Sequence, residues 1–90
     1  MTTENQTAAV DETAINETLD CSGLLCPLPV YKAAIVLDRL GDGDILRLVT
    51  TDPGALEDIP AMARQRGDSV LDVTNADKTQ TFLVKKGGGQ

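Results

Sequence analysis

A chain of 90 residues, 41% of them hydrophobic, has room for one small domain and a single modest core. Its net charge of −6 comes with no basic stripe, and one Tyr and one Phe leave almost nothing for bases to stack on, which speaks against direct nucleic-acid binding. There is no apolar run long enough to span a membrane, no basic-then-apolar leader, and no histidine. A cytoplasmic protein without membrane attachment is expected.

Met1 to Glu17 is polar and holds Glu4, Asp11, Glu12 and Glu17 with no Lys or Arg, leaving ten acids against eight bases elsewhere. This stretch reads as a disordered or weakly helical tail, residues 1–17, ahead of a domain over 18–86 and a flexible Gly-rich end at 87–90. Thr18 to Cys21 reads as a short strand. From Pro27 to Leu40, Val30, Ala33, Ala34, Leu37 and Leu40 recur at helical spacing, with Lys32, Val36 and Arg39 on the wetter face. Gly41 is the expected C′ stop of that helix. Asp44 to Thr51 is a strand rich in Leu and β-branched residues, so a right-handed βαβ unit with parallel pairing is expected.

Asp52-Pro53-Gly54 breaks the strand. A second helix follows over Ala55 to Arg66, with Leu56, Ile59 and Ala63 inward and Gly67 as its stop. Pro60 leaves two readings, a main helix starting near Asp58 after a short leading turn or a longer helix kinked at Pro60, and the first is favoured. Asp68–Thr74 and Thr79–Lys85 form an antiparallel final pair joined through Asn75 to Lys78. The order β-α-β-α-β-β gives an α+β fold: a two-layer sandwich with a four-stranded mixed sheet carrying both helices on one face.

The chemistry concentrates at Leu19 to Val30, LDCSGLLCPLPV. A turn at Ser22-Gly23 leads to Cys26, and Pro27 suits the first helical position because its missing N–H would be unpaired there anyway. Pro29 still falls within the first turn. Cys26 is therefore expected at or near the N-cap, where unpaired amides and the positive end of the helix favour its thiolate. Cys21 ends a strand, and packing and a second chemical thiol stand level as its role. Two cysteines with no histidine fall short of a zinc site, so no metal or other cofactor is expected. Asp52 and Asp58 read as capping residues rather than as acid and base. Lys32 and Arg39 lie on the helix that Cys26 starts and are the candidate partner-facing charges.

The stretch LDCSGLLCPLPVYKA, Leu19 to Ala33, resembles the signature of the TusA/SirA-like sulfur-carrier family, in which a CPxP motif opens the first helix. The likeness continues through Gly41-Asp42-Gly43-Asp44, TDPGALEDIP (Thr51 to Pro60) and FLVKKGG (Phe82 to Gly88). It implies the two-layer sandwich and a sulfurtransferase role in which Cys26 carries sulfur as a persulfide. A cysteine desulfurase or rhodanese-like protein would donate it and another protein would accept it, for tRNA thiolation, molybdenum-cofactor assembly or sulfur oxidation. Gly23, Pro27, Pro29, Asp52, Pro53, Asp58 and Pro60 are the motif's supporting residues, and a monomer is expected. Cys21 is a departure from many relatives. Two rivals keep the same fold: a non-catalytic interaction or regulatory module, and a dithiol redox switch using Cys21 and Cys26.

Overall fold

The computed structural model describes residues 14–25 and 27–87, and the leading residues and Cys26 lie outside the described residues. Within it the elements run β1 (Glu17–Cys21), α1 (Leu28–Arg39), β2 (Ile45–Thr50), α2 (Ala55–Arg66), β3 (Ser69–Ala76) and β4 (Thr79–Lys85). The sheet order is β1-β2-β4-β3, with β1 parallel to β2 and the other two pairs antiparallel. The expected α+β sandwich is thus the observed one. Its last strand, β4, is inserted beside β2, which leaves β1 and β3 as the edges.

Alternation along the central strands selects the covered face. Leu46, Leu48 and Thr50 of β2 register with Val84, Phe82 and Gln80 of β4, and all six are buried. Helix α1 lies over β1 and β2, while α2 lies over β3 and β4. Ala33, Val36 and Leu37 from α1 and Ala55, Ile59, Met62 and Ala63 from α2 complete the core. Val36 therefore belongs to the buried stripe, contrary to its expected place on the wetter face. The stripe runs 29, 33, 36, 37 and 40, turned from the expected one because α1 must also cover Leu19 on the edge strand.

Several boundaries move. Strand β1 starts at Glu17, and Asn16 is already fastened to β2: its N–H donates to the Ile45 carbonyl and its side-chain oxygen accepts the Ile45 N–H, each at 2.8 Å. Residues 1–13 of the expected tail lie outside the described residues. Helix α1 ends on an extended Leu40, and left-handed backbone comes only at Gly43, φ +90°, so Gly41 is not a helix-ending glycine. Gly67 does end α2 left-handed, φ +83°, with its own N–H and that of Asp68 reaching back to the last turn. Helix α2 has the expected bounds, Ala55 to Arg66, and is continuous with Pro60 inside it, so no separate main helix starts near Asp58. The Asp52 carbonyl accepts the Ala55 N–H and the Pro53 carbonyl that of Leu56, so the leading turn merges into the helix.

Strand β3 extends to Ala76, and the hairpin closes tightly on Asp77 and Lys78, both left-handed at φ +54° and +63°. At the other end, Lys86 and Gly87 are hydrogen-bonded into the fold. Lys86 exchanges backbone hydrogen bonds with Gly43 and Asp44 and donates from Nζ to the Leu40 carbonyl, while the Gly87 N–H donates to Asp68. Residues 88–90 lie outside the described residues.

Candidate functional site

Both helices begin beyond the same ends of β1 and β2, so the two loops 22–27 and 51–54 meet there. Parallel strands place candidate sites at this end. The first loop is held by local polar chemistry. The Ser22 N–H and hydroxyl both donate to Asp20 Oδ1, at 2.9 and 2.6 Å. These bonds hold the Asp20 carboxyl below its ordinary pKa, the hydroxyl bond having the larger effect. The Leu24 N–H then closes a turn onto the Cys21 carbonyl, with Gly23 left-handed at φ +81°. Gly23 also ties the two loops together, its N–H donating to Thr51 Oγ1 at 2.8 Å.

The helix then opens one residue later than expected. Pro27 is the cap residue, Leu28 the first helical residue and Pro29 the second, with the Tyr31 N–H making a helical bond to the Pro27 carbonyl. A proline cap offers no side-chain acceptor, and the first turn of α1 contains no acid. Its positive end is therefore not neutralised by its own residues, whereas the first turn of α2 carries Glu57 and Asp58. Cys26, the residue that precedes this opening in sequence, lies outside the described residues.

Cys21 is described, and it is fully buried in the core cluster. Burial pushes its thiol pKa up, partly offset by the Lys32 charge and reinforced by that of Asp20. Its register neighbour Thr50 donates its hydroxyl to Gln80 Oε1 at 2.8 Å, both side chains being buried. A polar pair thus stands beside the thiol beneath the loop.

On the second loop, Asp52 Oδ1 accepts the Gly54 N–H at 3.1 Å, closing the turn that Pro53 opens. That is a turn-capping role, as expected, although α2 itself has no side-chain cap and starts from Gly54. Asp58 stands in the first turn of α2 and lines a groove of about 330 Å3 between the helices, with Pro27, Val30, Tyr31, Ala61 and Met62 among its other walls. Pro60 lies on the same helix. Lys32 and Arg39 line a second groove, on the other side of α1, and Arg39 pairs loosely with Glu17 at 3.4 Å.

The sequence reading missed an exposed apolar ridge. Leu25, Leu28, Tyr31 and Ile35 are 71, 47, 62 and 57% exposed, and the last three recur along one side of α1. The signal was present in the spacing 28, 31 and 35, which is as helical as that of the buried stripe. It also missed Thr51, whose hydroxyl joins the loops; nothing in its local sequence marks it.

This arrangement defines a class: a small two-layer α+β domain in which the loop after β1 leads into the first helix beside the loop after β2. The fold matches the crystal structure of a SirA-like protein from Desulfitobacterium hafniense with a TM-score of 0.72, at 21% identity, covering 83% of this chain and all of that one. The sequence profile described as sulfurtransferase TusA matches residues 17–86. The sulfur carrier protein TusA of Allochromatium vinosum is 37% identical over 71 residues, 79% of this chain and 93% of that protein. A relative in Neisseria meningitidis serogroup A is 41% identical over 70 residues, 78% of this chain and 95% of its own length. The chain belongs to the TusA family of sulfur carriers. No helix among the described residues is long and apolar enough to cross a membrane.

Proposed function

We infer that this sulfur carrier works by persulfide relay on Cys26, between a donor such as a cysteine desulfurase or rhodanese-like protein and an acceptor protein, in the cytoplasm. The observation that carries the reading is the opening of α1. Directly after Cys26 comes a helix start with no capping side chain and no acid in its first turn, a setting that favours a thiolate nearby. The exposed ridge from Leu25 to Ile35 gives protein partners an apolar surface on the same helix.

The step balances without an external oxidant. The Cys26 thiolate attacks the outer sulfur of a donor persulfide, a new S–S bond forms on Cys26, the donor's S–S bond breaks, and the donor leaves as a thiolate. Repeating the exchange on an acceptor thiolate returns Cys26 to its starting state. Cys21 is read as a packing residue: a buried thiol with a raised pKa is a poor nucleophile and a poor half of a redox switch.

Incubating the reduced protein with a cysteine desulfurase and cysteine, then recording intact mass, tests this. One added sulfur is expected in the wild type and in Cys21→Ser, and none in Cys26→Ser. An adduct that survives Cys26→Ser, or no adduct in the wild type, overturns the assignment.

A further inference from the structure

The second groove, between α1 and β1, has a shape of its own. It measures about 220 Å3 and is lined by Leu19 of β1 and by Lys32, Ile35, Val36 and Arg39 of α1. Strand β1 forms one wall, and it is an edge strand: among the described residues it pairs with β2 alone. An edge strand beside a helix is the setting in which an extended segment can add to a sheet, with main-chain bonds along the edge and alternate side chains entering the groove. The floor is apolar, with Ile35 57% exposed above Val36 and Leu19.

The charges say what kind of segment fits. Lys32 and Arg39 stand at either end of the groove, seven residues apart on α1, which is about 10 Å of helix. Both are exposed. Of the two acids of β1, Asp20 alternates to the sheet's other face, and Glu17 pairs with Arg39 at 3.4 Å between exposed side chains, a pairing that can be exchanged for an incoming carboxylate. In an added strand, side chains entering the groove come from every second residue, so positions i and i+4 lie about 13 Å apart. That separation suits the two cations, with the residue between them over Ile35.

We propose that this groove is a docking site for an extended, acidic segment of a protein partner, of the pattern acid-x-aliphatic-x-acid, added as a fifth strand beside β1. The relay reading enters only in making that partner a sulfur donor or acceptor. The groove lies across α1 from the one that Asp58 and Met62 line, so a partner held here by its extended segment leaves the helix opening uncovered for sulfur exchange.

The test uses full-length protein carrying Cys26→Ser, so that its outcome does not depend on sulfur chemistry. The probe is the blocked heptapeptide Thr-Asp-Thr-Val-Thr-Asp-Thr, titrated against 15N-labelled protein. Expected are shifts at Leu19, Lys32, Ile35 and Arg39, slowed amide exchange in β1, and at least tenfold weaker binding in Lys32→Glu/Arg39→Glu. The same peptide with Lys in place of Asp should not bind. Shifts confined to the groove around Pro27 and Met62, no shift at millimolar peptide, or undiminished binding by the charge-reversed variant each overturn the proposal. The chain's own acidic leading segment is the competing occupant. If Glu4→Gln/Asp11→Asn/Glu12→Gln strengthens peptide binding tenfold or more, that segment fills the groove and the partner assignment is overturned. Unchanged binding supports the partner.

Discussion

Two cysteines with four residues between them invite a dithiol reading, and the burial of Cys21 tells against it. Cys21 is fixed in the core at the end of β1, with its thiol pKa raised by loss of solvent. A raised acid pKa has a signed consequence for stability. The thiol's contribution is complete below the unfolded value, about 8.5, and is lost as pH rises toward the folded value, because only the unfolded chain then ionises freely. Urea unfolding at pH 7 and pH 9.5 should show an alkaline loss of stability that is smaller in Cys21→Ala. Beside it, Thr50→Val removes the hydroxyl that donates to Gln80 Oε1. Leaving that buried oxygen unmatched should cost about 1–3 kcal/mol in the same measurement.

At the scale of elements, the two ends of the sandwich are built differently. The end with the loops is held by turns and single hydrogen bonds, notably Asp20 to Ser22 and Gly23 to Thr51. The opposite end is stapled. Arg66, closing α2, bonds Asp68 Oδ2 at 2.8 Å and Asp38 of α1 at 2.9 Å, and Asp68 also holds the Gly87 N–H. The Asp68 side chain is only 3% exposed, so Arg66→Ala strands a buried carboxylate and should cost about 3 kcal/mol. Arg39→Ala breaks only the exposed pair with Glu17 and should cost less than about 1 kcal/mol. Thermal or urea denaturation of both variants checks the contrast. Equal losses would mean that the staple is no stronger than a surface pair.

At the scale of the whole molecule, one end is fixed and the other holds the helix opening, while an apolar ridge and two grooves run along α1 between them. Much of this was legible along the chain. Period-two burial in Leu46, Leu48 and Thr50, the helical run of α1, and the glycine after Arg66 are local signals, and they specify elements and the layer order. The motif from Leu19 to Ala33 pointed to the family for the same reason: turn, prolines and cysteine act within a few residues of one another. Pro60 misled because a proline's penalty is local, whereas the burial of Ala55, Ile59, Met62 and Ala63 that holds α2 together from Ala55 onward is not.

What the amino-acid order determined alone is therefore whatever neighbouring residues can enforce: the elements, most of the turns, and the first helix's start to within one residue. Only tertiary packing decided that β4 inserts beside β2 and leaves β1 at the edge, that Val36 and Cys21 go inside, and that Leu28, Tyr31 and Ile35 stay out. The reason is that burial depends on which surfaces meet. A stripe of apolar residues looks the same in sequence whether a sheet covers it or a partner is meant to.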